Sequence, residues 1–227
     1  MLPRFPNLID LALSHDTFSG SVDCDLSALP QLRKVNFRKL GFNNLRLPPL
    51  VNTWENYQCN INDHGFPAMD DFLKLSALQV LRMNACGLVP PLTHFVRSGR
   101  TSSMTHLDLT HSYSYDANAL TALLSSGALS NLKDLRLGGY GEPADLASNL
   151  VHLKKLEELH LTLSQVTTVV LADMIRPSDC SLQHIHLTDC EKVTPDIVGL
   201  AESKYIKVTI KKTQASGSEA TGHWYPW

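Results

Sequence analysis

Histidine and carboxylate side chains alternate along short stretches in the second half of the chain. Glu158 and His160 lie two residues apart, as do His184 and His186. If these stretches are β-strands, residues two apart point to the same face. Imidazole and carboxylate groups on one face are the groups that bind transition metals or carry out general acid–base catalysis.

Alignment of the stretches places these residues in two columns, together with acidic residues and arginines from earlier stretches. We predict a polar, solvated face that binds a protein partner and contains no catalytic residue. The alternatives are a metal site and an enzyme that uses the histidines and carboxylates as acid and base. The predicted partner-binding residues are Arg82, His106, Asp108, Asp134, Arg136, Glu158, His160, His184 and His186.

Two cysteines near the histidines raise the question of a zinc site. Cys180 precedes the stretch that contains His184 and His186, and Cys190 follows it. The repeat described below places Cys190 on the core side, whereas the histidines face outward. Because the four side chains cannot converge on one ion, we do not predict a zinc site there. We predict neither a metal nor a cofactor for this protein.

A glycine-containing segment at 139–144 matches the pattern G-x-G-x-x-A of dinucleotide-binding loops. That function also requires a surrounding two-layer sheet. The strand before this segment is one more copy of the repeat. We therefore interpret 139–144 as an ordinary loop between a strand and a helix.

The composition is that of a folded chain. The 227 residues are 43% hydrophobic and 19% charged, enough to bury the core of one domain or one continuous repeat array. Lys and Arg number 20 against 22 Asp and Glu, which gives a net charge of -2 and excludes a general binder of nucleic-acid phosphates. No apolar run approaches the roughly 18 residues of a membrane span, so neither nucleic acid nor membrane is a predicted partner.

Cysteine usage and the N-terminal residues bear on the compartment. The five cysteines are odd in number and widely spaced, which argues against a disulfide framework. Residues 1–6 lack the basic start and apolar run of a secretory signal. We predict a cytoplasmic or nuclear protein; the alternative is a secreted one whose signal lies upstream.

One apolar pattern recurs every 22–28 residues along the chain. Each copy has an apolar residue, two variable residues, an apolar residue, one variable residue and a third apolar residue. The nine predicted copies are Leu8-Leu11-Leu13, Leu32-Val35-Phe37, Trp54-Tyr57-Cys59, Leu78-Leu81-Met83, Met104-Leu107-Leu109, Leu132-Leu135-Leu137, Leu156-Leu159-Leu161, Leu182-Ile185-Leu187 and Tyr205-Val208-Ile210.

This period lies within the 20–29 residues of leucine-rich repeats. The second and third apolar residues of a copy share one face of a strand, which packs inward, and strands of successive copies stack in parallel. Return segments wider than strands bend such a stack into a horseshoe whose concave face is lined by the strands. We predict an α/β leucine-rich-repeat solenoid of about nine repeats over residues 1–212; a closed α/β fold is the alternative.

The return segments differ along the chain. The early one at 16–30 contains Ser19, Gly20 and Ser21 and is predicted to be irregular. Later segments have apolar residues at helical spacing and are predicted to contain helices, at 116–124, 145–153, 168–175 and 196–201. Residues 213–227 are predicted to form a flexible tail with an aromatic end.

Residues 181–201, with the sequence SLQHIHLTDCEKVTPDIVGLA, resemble the cysteine-containing subtype of leucine-rich repeat. In that subtype a cysteine follows the strand, and a turn of the Val/Ile-Thr-Asp type leads into a helix. The segment from Leu78 to Cys86 has the same spacing, whereas Ser112, Tyr140 and Ser164 stand where the cysteine would be in other units. This subtype is similar to the C-terminal arrays of F-box proteins, and the divergent early units resemble those of fungal members.

The resemblance implies a function in protein recognition. F-box proteins are substrate adaptors of cullin-type ubiquitin ligases, and their helical F-box precedes the repeats. Here the first repeat begins at Leu8, so ubiquitin-ligase subunits are expected partners only where an F-box lies upstream. The leading hypothesis is the substrate-binding part of such an adaptor, and the alternative is a stand-alone scaffold or regulator without a ligase link.

Overall fold

The computed structural model describes residues 5–15, 21–61, 75–86, 103–111, 117–138, 146–150, 152–177 and 180–213. The segment 139–144 and the tail residues 214–227 lie outside the described residues, and so do Ser112 and Tyr140.

Nine strands in these described parts form one parallel sheet, called here the main sheet. The strands lie in chain order, and each pairs in register with the next one along the sheet. They are β1 (Asp10–Ser14), β3 (Lys34–Arg38), β5 (Thr53–Tyr57), β7 (Val80–Asn84), β8 (His106–Asp108), β9 (Asp134–Gly138), β10 (Glu158–Thr162), β11 (His184–Thr188) and β12 (Lys207–Lys211).

Three further strands form a second, smaller parallel sheet from the early return segments. They are β2 (Ser21–Asp25), β4 (Gly41–Arg46) and β6 (Asn60–Ile61). The prediction of an irregular first return segment is therefore wrong at β2. β2 is short and mostly polar, and it is held by its pairing with β4, which the local sequence does not show.

The later return segments contain helices, as predicted. These are α1 (Ala117–Ser125), α2 (Leu146–Leu150), α3 (Thr168–Ile175) and α4 (Asp196–Glu202). Thr167 caps α3 by accepting a hydrogen bond from the Val170 N–H at 3.3 Å. The buried residues of α3 are Leu171, Met174 and Ile175, the i, i+3, i+4 stripe of a helix that packs on a core.

The core lies between the main sheet and the return segments. The central apolar residues of the strands, such as Leu135, Leu159 and Ile185, have no exposed surface. Their strand neighbours on the other face are partly exposed in β10 and β11, which follows the period of two in a strand. In the early units the core is closed from the far side by β4, whose Phe42 ring lies 4.9 Å from that of Phe37.

Most of the main-sheet strands are followed by a residue with a left-handed backbone conformation, where the chain turns toward the return segment. Leu163, with φ of 52°, donates its N–H to the Thr188 carbonyl of the next strand at 2.9 Å. Lys39 makes the equivalent bond to Tyr57 at 3.0 Å. Residues other than glycine seldom adopt this conformation, so its recurrence marks the same turn in successive units. The described residues with this geometry at a strand end are Lys39, Gln58, Ala85, His111, Leu163 and Asp189.

The third predicted unit is shifted by three residues in the structure. Trp54 pairs with Leu81 and Asn56 pairs with Met83, so the buried triplet is Val51-Trp54-Asn56 rather than Trp54-Tyr57-Cys59. Tyr57 is 39% exposed on the other face. The prediction was wrong because the third inward position holds the polar residue Asn56, which does not fit a pattern of apolar residues.

The first and last units are less buried than the pattern predicts. Leu13 of β1 and Ile210 of β12 are 40% and 37% exposed, because an end strand has a neighbour on one side only. Tyr205 is 96% exposed with φ of 60°, and Ile206 enters the core in its place. Apart from Ile206, the inward residues of these two units are therefore only partly covered.

The architecture is α/β, with a large parallel sheet in chain order and few helices, an arrangement compatible with a solenoid. Among the described helices there is none of the length and apolar character needed to cross a membrane.

Candidate functional site

The nine predicted site residues lie on one face of the main sheet, called here the outer face. They come from five neighbouring strands, β7 to β11, and residues of adjoining strands are in register. The first column consists of His106, Asp134, Glu158 and His184. The second column consists of Arg82, Asp108, Arg136, His160 and His186.

Asp134 and Arg136 of β9 form an ion pair on this face. The Arg136 Nη2 donates to Asp134 Oδ2 at 2.8 Å, and Nε donates to both carboxylate oxygens at 3.0 and 3.1 Å. The hydrogen bond with Asp134 raises the pKa of Arg136. The pair spans both columns and holds the guanidinium in one orientation.

Asp108 and Asp134 are less accessible than their predicted place on an exposed face implies. They are 8% and 7% exposed. Asp108 accepts hydrogen bonds from the N–H and the hydroxyl of Thr110 at 2.9 and 2.5 Å. Burial of a carboxylate is tolerated only with such partners, so these two residues mainly organise the face, and their neighbours offer most of its accessible area.

Glu158 lies between two imidazoles. Its Oε2 is 3.4 Å from His160 Nε2, and its Oε1 is 3.9 Å from His184 Nδ1. The Glu158 side chain is 41% exposed, four times as much as that of Asp134 at 10%. This carboxylate is therefore the more open acidic group of the first column.

His160 and His186 are stacked across β10 and β11. Their ring centroids are 4.2 Å apart with an interplanar angle of 11°. Burial lowers the pKa of His186, and the charge of a protonated His160 lowers it further. The stack presents two parallel rings at the middle of the second column. His106 stands apart from it, with its Nδ1 2.8 Å from the Thr105 hydroxyl.

Glu55 belongs to the same face and was missed in the sequence. It faces Arg82 in register, and Arg82 Nη1 donates to its Oε1 at 2.6 Å. Asn36 and Lys34 of the preceding strand contact its other oxygen at 2.9 and 3.6 Å. Correct alignment of the third unit would have placed Glu55 in the second column.

The cysteines that follow main-sheet strands point to the core, as predicted for Cys190. Cys190 is 6% exposed, and its Sγ donates to the carbonyl of Leu161 at 3.4 Å. Cys59 occupies the corresponding place after β5 and donates to the Phe37 carbonyl at 3.3 Å. Each thiol thus bonds to the preceding main-sheet strand, on the opposite side of the sheet from the stacked histidines.

The outer face therefore combines fixed ion pairs with one open carboxylate and partly exposed imidazoles. It offers hydrogen-bond donors, acceptors and flat aromatic surface to a ligand. The sequence matches no protein-family model and no curated protein.

Proposed function

We propose that the chain is a leucine-rich-repeat solenoid whose outer face is the concave, partner-binding surface. The observation that supports this proposal is the register of β7 to β11, which places polar side chains of five successive strands in two columns. Repeat proteins with such stacked strands bind other proteins through the face that the strands line. The equivalent core cysteines Cys59, Cys86 and Cys190 support the repeat assignment.

The ion pairs on this face favour recognition of a partner. The guanidinium groups of Arg82 and Arg136 are held by Glu55 and Asp134 before any partner arrives. Side chains that are already ordered lose less conformational entropy on binding. A few such positions are expected to dominate the binding energy, with Arg136 and His160 at the centre of the second column.

The experiment that tests this proposal compares partner capture by matched double variants. The test variant is Arg136→Ala with His160→Ala on the outer face. The control is Arg176→Ala with His152→Ala, which removes the same two residue types from exposed positions outside the main sheet. Proteins captured by the wild type and identified by mass spectrometry should be lost from the test variant and retained by the control.

Stability is measured in parallel, because Arg136→Ala leaves the Asp134 carboxylate without its ion pair. A second test variant, Glu158→Gln with His160→Ala, keeps that pair and should also lose the partner. Capture that survives both test variants but not the control would place binding on the helical side and contradict the proposal.

A more specific hypothesis is that the protein is the substrate-binding part of a ubiquitin-ligase adaptor. It rests on the resemblance of residues 181–201 to F-box repeat arrays. It assigns the protein to the cytoplasm or nucleus as a substrate-binding part without catalysis. The product of the complete reading frame should then co-purify with cullin-type ligase subunits. A complete reading frame without an F-box, or a product that binds its partner but no ligase subunit, would favour the stand-alone scaffold or regulator.

A further inference from the structure

Three donor groups of mixed chemistry converge on the outer face where β9 meets β10. A carboxylate oxygen of Asp134, a carboxylate oxygen of Glu158 and a ring nitrogen of His160 all lie within 4.8 Å of one another. From this geometry we propose that Asp134, Glu158 and His160 form a binding site for a Zn²⁺ ion. Metal binding here is a function beyond partner recognition, and the site does not involve Cys180 or Cys190.

The positions of the donors fit one ion after small side-chain movements. Zinc binds imidazole nitrogen at about 2.0–2.1 Å and carboxylate oxygen at about 2.0–2.2 Å, so two donors of a tetrahedral ion lie about 3.3–3.6 Å apart. His160 Nε2 and Glu158 Oε2 are already at that separation, 3.4 Å apart. Glu158 is partly exposed and its side chain can rotate, so it can close the remaining distance to Asp134.

The surrounding charge also suits a divalent cation. Two carboxylates and the Arg136 guanidinium leave one net negative charge around the donors. Arg136 bonds to Asp134 through Nε and Nη2, and a metal-binding carboxylate is commonly oriented by such an outer-shell hydrogen bond. Arg136 therefore positions Asp134, and the ion would bind on the side of Glu158 and His160.

The donor set distinguishes between types of metal ion. Imidazole nitrogen favours zinc and neighbouring transition metals, whereas Mg²⁺ and Ca²⁺ prefer oxygen donors alone. Three protein donors leave one coordination position of tetrahedral zinc for water or for an incoming group. The ring of His186 stacks on the ring of His160 and limits the orientations that the His160 imidazole can adopt as a zinc ligand.

The test is a titration of the full chain with Zn²⁺ alone, after treatment with a chelator, in a buffer that does not bind metal. Calorimetry should show one ion per chain, and the ion should raise the melting temperature. His160→Gln should weaken affinity at least about tenfold, since loss of an outer-shell partner alone costs about 10–100-fold. Mg²⁺ at the same concentration should not compete.

His152→Gln is the matched control, because His152 is an exposed histidine outside the main sheet. Glu158→Gln is a second variant that removes a donor at a partly exposed position and keeps the Asp134–Arg136 pair. Zinc binding that is absent from the wild type, unchanged in both His160→Gln and Glu158→Gln, or lost in His152→Gln would overturn the proposal. Because no protein partner enters this titration, its failure leaves the recognition proposal standing.

Discussion

The indole N–H of Trp54 donates to the side-chain oxygen of Asn56 at 2.9 Å, and both side chains are buried in the core of the third unit. Asn56 stands between Phe37 and Met83 in the neighbouring strands, where apolar residues would be expected. Among the buried side-chain atoms of the described residues, the Asn56 Nδ2 has no hydrogen-bond partner. The bond to the indole is therefore the side-chain hydrogen bond that stabilises the buried Asn56 amide.

Asn56→Ala should lower the free energy of unfolding by about 1–3 kcal/mol, because it removes a buried hydrogen bond and leaves a cavity. The same substitution in a Trp54→Phe background should cost about 1 kcal/mol less, since the indole donor is then absent. Urea unfolding of the four proteins of this cycle measures the coupling. Equal costs in the two backgrounds would show that the bond contributes no net stability.

Leu159→Asp should unfold the array, whereas Leu163→Asp should be tolerated. Leu159 is fully buried, and an unpaired charge there costs several kcal/mol against a total stability of about 5–15 kcal/mol. Leu163 is 47% exposed in the left-handed turn that follows the same strand, where aspartate is accommodated. Melting curves compare the two, and similar curves would contradict the assigned strand faces.

Gly138→Ala should destabilise the protein by about 1–3 kcal/mol, because an added Cβ would lie 2.6 Å from the Thr162 carbonyl oxygen of the neighbouring strand. Gly199→Ala is the control, since a Cβ there meets nothing within 4 Å inside α4. That helical substitution should instead stabilise by about 0.5–1 kcal/mol. Chemical unfolding measures both changes, and a Gly138→Ala protein as stable as the wild type would refute the close approach of β9 and β10.

Cys86 should make stability fall in alkaline solution. Burial raises the pKa of its thiol to about 12 from the ordinary value of 9.0. The folded state therefore keeps a proton that the unfolded state releases, so the stabilisation is complete below about pH 9 and is lost as the pH rises toward 12. The loss for one thiol is at most about 1.4 kcal/mol per pH unit.

Urea unfolding between pH 8 and pH 11 compares the wild type with Cys86→Ala, in which this titration is absent. The wild type should lose stability more steeply than Cys86→Ala above pH 9, because the two proteins differ only in this thiol. Parallel curves would show that the Cys86 thiol ionises as readily in the folded state as in the unfolded state.

Much of the main sheet follows from local sequence. Leu135 and Ile185 are each followed by another apolar residue two positions later. Residues two apart in a strand share one face, so these apolar residues are buried together and the polar residues between them lie on the other face. This rule is local and correctly placed both columns of the outer face. It failed at Asn56, because a buried polar residue is compatible with the core only through a bond to Trp54 that the pattern does not reveal.

The tertiary structure alone decided which polar groups meet. The sequence placed Glu158, His160 and Asp134 on one face, but their distances depend on the pairing of β9 with β10 and on side-chain rotamers. Asp134 is buried with Arg136 as its hydrogen-bond partner, and β2 is paired with β4. Alternation within a strand is set by covalent geometry, whereas contacts between distant segments are set by packing, which only the folded chain specifies.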